Sequence, residues 1–184
     1  MNKSEKIEII KKNVEDIHEV KIKRMRIGSE DINAIPLAIG QKLVLLQDLY
    51  DFDLDGYSII RIKDITSIII TKSQVFSQFI LKEEGILNQI IKPSISNFDN
   101  WRNVLTELSV LDNNIIVESE SLETSKFFIG KIERIDKTSL FLLHFNGAGE
   151  WDKESTEILL KDITSINFNS RYIKVISKYV KPTK

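Results

Sequence analysis

The chain has 184 residues, of which 42% are hydrophobic and 29% charged, a balance that supports a packed core. Lys and Arg number 26 against 27 Asp and Glu, so the net charge is −1 and no overall basic excess favours nucleic acid. There is no cysteine, which removes disulfides, thiolate nucleophiles and Cys-ligated zinc.

The N-terminal stretch is charged throughout and has no apolar h-region, and no apolar run approaches the roughly 20 residues of a membrane helix. The expectation is a cytoplasmic chain with no membrane contact. Ser4 is placed to cap a first helix whose stripe is Ile7, Ile10, Val14 and Ile17. From Glu19 the period shortens: Val20 and Ile22 alternate with Lys21 and Lys23, and Met25 and Ile27 resume after a slip that reads as a bulge. A polar stretch leads to Ile35-Pro36-Leu37, Gly40 turns the chain, and Leu43 to Leu46 read as a central strand, apolar on both faces. Residues 47–56 read as an Asp-rich loop and 57–63 as the next strand, kinked by a short 3₁₀ turn or bulge at 64–67. Phe76, Phe79 and Ile80 make one more strand or a short helix.

Residues 82–96 read as a connector. Ser96 and Asp99 form a capping box for an amphipathic helix carrying Phe98, Trp101, Val104, Leu105 and Leu108, stopped by Asp112-Asn113-Asn114. Strands follow at 115–120, 126–136, 139–146 and 157–168, with a last element at 172–179 and a turn at Asn146-Gly147. One phrase, KDITSI, occurs at 63–68 and again 98 positions later at 161–166. Around it Ile60, Ile62, Ile65, Ile68 and Ile70 match Ile158, Leu160, Ile163, Ile166 and Phe168 at the same separation. One structural unit is used twice, each half a helix followed by about five short strands.

In the second half, Ile129-Gly130-Lys131-Ile132, then Asp136 and Leu140-Phe141-Leu142, resemble the first signature of Sm-like domains, with the helix from Trp101 to Leu108 where an Sm-like helix would stand. The first half resembles it more loosely, with Asn33 at the Gly position. The chain also looks like uncharacterised bacterial proteins with a DIT-x-I strand. The resemblance implies a mainly β fold with short helices: two tandem Sm-like five-stranded antiparallel barrels, each preceded by an α-helix, with domains at 1–88 and 89–184. It departs from the RNA-binding members, because Ser139-Leu140 and Leu160-Lys161-Asp162-Ile163 stand where their RNA-contacting motifs would be.

Asp51, Asp53 and Asp55 before Gly56 fit the first half of a calcium loop, but Ile62 stands where a bidentate Glu belongs, so the motif reads first as a solvated turn and only weakly as a Ca²⁺ site. Lys21, Lys23, Arg24 and Arg26 are the one basic cluster, with the lysines on one face of a strand and the arginines on the other. Its first reading is a charge-guarded sheet edge, its second a nucleic-acid contact. His18 and His144 lie in different halves; a His144–Glu150 pair has the makings of a general base but no nucleophile beside it. Tyr50, Phe52 and Tyr57 around the acidic loop form an aromatic contact patch with Asp51, Asp53 and Asp55. The sequence therefore points to a module that is not an enzyme, uses no cofactor and makes a protein contact or associates with itself through that loop. The alternative is an Sm-like RNA or single-stranded DNA binder.

Overall fold

The computed structural model describes residues 1–28, 30–111 and 113–181. The first helix, α1 (Lys3–Asp16), starts two residues earlier than Ser4 would allow: the Asn2 side chain accepts the Glu5 N–H and the Glu5 carboxylate accepts the Asn2 N–H, a reciprocal cap. Ile10 is fully buried on its stripe, while Ile17 is exposed at the left-handed cap. Strand β1 (Val20–Lys23) does not resume; Met25–Ile27 is a 3₁₀ turn and Met25 is exposed. Next come β2 (Ile32–Ile39), β3 (Leu43–Tyr50) and β4 (Asp53–Arg61). The expected loop at 47–56 is thus mostly paired strand, because Leu49 and Leu54 are partners and only Asp51-Phe52 turns. A 3₁₀ turn at Ile62–Asp64, two residues before its expected place, leads to β5 (Ser67–Ile69).

The residues around Phe76 form a helix, α2 (Lys72–Glu83), capped by Thr71. The connector contains a 3₁₀ turn at Ile86–Gln89, and α3 (Trp101–Ser109) is capped by Asn100, whose Oδ1 accepts the Asn103 N–H at 3.0 Å. Ser96 is not the cap; its N–H is held by the Glu107 carboxylate. Of the expected helix stop, Asp112 lies outside the described residues. The second half continues with β6 (Ile115–Glu120), β7 (Ser125–Ile135), β8 (Ser139–His144), β9 (Thr156–Leu159) and β10 (Ser165–Phe168), and ends in a helix, α4 (Arg171–Ile176). The single strand expected at 157–168 is therefore two, divided by a turn at 160–162.

The two closed barrels are not present. All ten strands form one sheet in the order β5-β1-β2-β3-β4-β10-β6-β7-β8-β9. A barrel in each half needs the fourth strand of that half to meet its own fifth. Instead β4 pairs antiparallel with β10, Ile59 opposite Ile166 and Tyr57 opposite Phe168, and β10 pairs on its other side with β6. The backbone groups that would have closed a barrel are spent joining the halves, and β5 and β9 are left as edges. The strand order within each half is nevertheless the same. The two threonines of KDITSI also act alike: N–H and Oγ1 of Thr66 both donate to the Lys23 carbonyl (2.7 and 2.9 Å), and those of Thr164 to the Glu118 carbonyl (2.8 and 3.0 Å). Gly130, the residue behind the family resemblance, sits where a Cβ would overlap the Leu143 carbonyl, so close strand approach demands it.

Alternation along the central strands sorts the core. Leu43, Leu45, Ile59, Ile166 and Val117 meet Trp101, Val104, Leu105 and Leu108 of α3 in one cluster drawn from both halves. On the opposite side of the strands, Val44, Leu46 and Ile60 pack under Ile10 of α1, and Ile116, Ile129 and Phe145 pack under Ile173 of α4. Between those two capped clusters the same side is polar, with Ser58, Ser165, Asn167 and Glu118 in adjacent strands. Here Arg24 crosses from the first half to the Glu120 carboxylate, Nη1–Oε2 at 2.7 Å and Nη2–Oε1 at 3.1 Å, with little of either side chain exposed. Among the described residues no helix is long and apolar enough to cross a membrane.

Candidate anion-binding cleft

The two copies of KDITSI start in turns that lie side by side, because β4 and β10 are neighbours. The Arg61 guanidinium, at the end of β4, spans them: its Nε is paired with the Asp64 carboxylate and its Nη1 donates to the Lys161 carbonyl at 2.9 Å. Beside this crossing is a cavity of about 650 Å³ whose floor is Leu43, Ile62, Trp101 and Leu160. The Trp101 indole N–H is committed to the Ile163 carbonyl at 3.0 Å, which fixes the ring as wall.

The rim is cationic. Lys63 and Lys161 come from the two turns, Lys42 and Lys137 from the hairpin connections that precede β3 and β8, Lys3 and Lys6 from the start of α1, and Arg102 from the start of α3. With Arg61 that makes eight basic side chains, and among the described residues no carboxylate lines the cavity. Arg61 is ion-paired; among the described residues no ion pair involves the other seven. Lys6 is 7% exposed, and burial, followed by the Arg26 charge, holds its ammonium below the ordinary lysine range against the opposing pull of Asp64. The first turn of α3, with Asn100, Trp101 and Arg102 in the lining and no acidic residue, adds partial positive charge. Eight basic side chains, with the Asp64 carboxylate acting on Arg61 and Lys6, repel one another, so the arrangement is complementary to a ligand that brings negative charge.

Sequence reasoning missed this site because its cations are scattered over more than 150 positions and cancel in the total charge. The one available signal was the leading Lys of each KDITSI copy. The cluster that sequence did single out is dispersed: Lys21 and Lys23 are half-buried on β1, Lys23 lies 3.7 Å from Asp31, Arg24 is buried against Glu120 and only Arg26 is exposed. Arg24 does not alternate along a strand, since β1 ends at Lys23.

The Asp-rich segment becomes the tip of the β3–β4 hairpin. Tyr50, Asp51, Phe52 and Asp53 are exposed there. Asp53 Oδ1 accepts the next residue's N–H at 2.9 Å, while Asp55 accepts the Arg171 N–H at the start of α4 at 2.7 Å. Tyr57 stacks on Phe168 with ring centres 5.1 Å apart and donates its hydroxyl to the Ile91 carbonyl. Asp55 and Tyr57 thus tie the halves together, and the four residues at the tip stand apart from them. No group of three or more His, Cys, Asp or Glu placed to hold a metal occurs among the described residues. His144 Nδ1 lies 2.8 Å from the Ile129 carbonyl, while the Glu150 carboxylate is engaged by Lys181 and Asn146, so those two side chains are directed to other partners.

A second titratable group stands out on the polar side of the sheet. Asp48 accepts the Ser58 hydroxyl at 2.6 Å, and its carboxyl is pushed up to about 7, first by burial and then by the charges of Asp55 and Glu118, against Ser58 and Arg24. Comparison of the chain with protein-family models, with curated protein sequences and with solved structures returns no match.

Proposed function

We propose that the protein is a non-catalytic cytoplasmic binding module that takes single-stranded nucleic acid in the cleft between its two KDITSI turns. One observation carries this reading: seven cations that have no ion-pair partner among the described residues surround one apolar-floored cavity in a chain whose net charge is −1. A backbone of phosphates supplies the missing counter-charge, and the cavity's volume suits a few nucleotides of a flexible strand rather than a rigid duplex. A protein contact centred on the Asp-rich hairpin has less in its favour, because two of its six residues are engaged inside the fold. Fluorescence anisotropy with a labelled single strand tests the reading. Affinity should fall steeply with salt, with a log–log slope of about −0.7 per phosphate neutralised, and Lys63→Gln with Lys161→Gln should flatten that slope by roughly 1.4. An unchanged slope in the double variant would remove the cleft from the account.

Self-association is a second reading with its own support. β9 and β5 occupy in their halves the places that β4 and β10 occupy at the internal junction. A second copy is therefore offered the same antiparallel pairing, Ser67 opposite Ile158 and Ile68 opposite Glu157, which covers the exposed Ile69 and Leu159. Light scattering on the size-separated protein should show multiples of the chain mass that Ile69→Lys with Leu159→Lys reduces to monomer. A wild-type protein that stays monomeric at about 100 μM, well above a micromolar dissociation constant, counts against it.

A further inference from the structure

The hairpin tip and α2 line a second, smaller cavity of about 350 Å³, which shares no lining residue with the cleft. Glu19 forms part of its wall, with Asp51, Phe52, Ser73, Phe76 and Ser77. Three features of this place call for one explanation. First, Glu19 is only 3% exposed, and its Oε2 is buried with no hydrogen-bond partner among the described residues. The side chains of Ser77 and Gln74 and the charges of His18 and Lys21 favour its ionised form, yet burial outweighs them. A buried carboxylate oxygen left unsatisfied is costly, and such atoms are rare in folded proteins.

Second, the turn itself is built against its own chemistry. Asp51 and Phe52 sit at φ +47° and +63°, the left-handed pair that a two-residue hairpin turn requires. Asp-Gly is the sequence that fits such a turn, and a phenylalanine there holds a strained backbone. Third, that phenylalanine and Phe76 are about half exposed or more, 50% and 64%, on the two sides of a pocket that contains the carboxylate. Aromatic faces around a desolvated negative charge are complementary to an organic cation, through the ring quadrupoles and the ion pair together.

We propose that this pocket binds a primary ammonium carried on an unbranched alkyl stem. The ammonium is directed to the Glu19 carboxylate, with Asp51 as a second anion, and the stem lies between Phe52 and Phe76. A compact ammonium with three donors suits the single unpartnered oxygen and the hydroxyls of Ser73 and Ser77; a guanidinium fork would ask for both carboxylate oxygens in one plane. The stem can belong to a free diamine or to a lysine side chain of another protein.

Titration of the ¹⁵N-labelled full-length protein with cadaverine, with Nα-acetyl-lysine methylamide and with the neutral isostere pentanol tests the site by NMR. Both ammonium compounds should shift the amides of Phe52, Ser73 and Phe76 with dissociation constants in the millimolar range or tighter, and pentanol should not. Tighter binding of the diamine assigns the site to free polyamines, and tighter binding of the blocked lysine assigns it to a protein side chain. Glu19→Gln should lose binding by roughly tenfold or more, and Phe52→Gly by several-fold, while Phe52→Gly leaves the melting temperature unchanged or higher because it relieves the turn. Shifts of equal size with pentanol, no shift with either ammonium, or undiminished binding in Glu19→Gln would each overturn the proposal.

Discussion

Arg24→Met is the change that most directly tests whether the two halves act as one folding unit. Arg24 leaves β1 in the first half and ends on Glu120 of β6 in the second, by two parallel hydrogen bonds, with 4% and 12% of the two side chains exposed. Glu120 Oε2 also lies 2.8 Å from Thr164 Oγ1, sharing its one hydroxyl hydrogen with the Glu118 carbonyl, so the pair is wired to the second KDITSI copy. Removing the guanidinium leaves a desolvated carboxylate with a neutral donor where a cation stood, and such losses cost about 3–5 kcal/mol. Against the roughly 5–15 kcal/mol that holds an ordinary domain together, that is about a fifth of the total or more. Urea denaturation followed by far-ultraviolet dichroism measures the change through the midpoint at constant slope. Adding Glu120→Leu removes the stranded charge, so the double variant should recover most of the loss, and the cycle should give a coupling above about 1 kcal/mol. A loss below about 0.5 kcal/mol for Arg24→Met is what an exposed pair would give, and would refute the idea that this contact fastens the halves.

Asp48 gives a pH prediction. Its carboxyl titrates near 7 in the folded chain against an ordinary value of 3.8, so the folded state binds the extra proton between those values and stability falls as the pH rises through them. Asp48→Asn should therefore gain on the wild type as the pH is raised from 4 to 7, by at most roughly 1.4 kcal/mol per unit, and the gain should level off above 7. Urea midpoints for both proteins across that range measure it. Gly130→Ala places a methyl group against the Leu143 carbonyl and should destabilise by about 2–4 kcal/mol, measured by thermal unfolding; an unchanged midpoint would mean that β7 and β8 stand further apart than described.

The elements themselves were largely visible in the chain. The Leu43 strand, apolar on both faces, and the stripe from Trp101 to Leu108 announce buried positions by period alone, and both are buried. The repeat was equally plain, since Ile62 and Leu160 stand in corresponding turns and the buried Ile65 and Ile163 follow them. What could not be read was which partner β4 would take. Ile59 and Ile60 supply an apolar face for either neighbour, and the choice of β10 over β5 depends on pairing between residues about a hundred positions apart. The departure at 47–56, and the helical form of the last element, have local causes. Four aspartates and Gly56 suggested a loop where cross-strand pairing prevailed, and Ser170, whose hydroxyl accepts the Ile173 N–H, caps a helix in a stretch whose Tyr, Ile and Val favour strand. The cleft was hidden for a further reason: its cations share no segment, and only the fold brings them together.

The central claim is that the paired KDITSI turns create the binding surface, and photo-cross-linking tests it where it stands. A single-stranded oligonucleotide carrying 4-thiouridine should cross-link, at low salt, to peptides containing Lys63, Trp101, Lys137 and Lys161. Cross-links confined to the β1 segment around Lys21 and Arg26, or none at all, would contradict it.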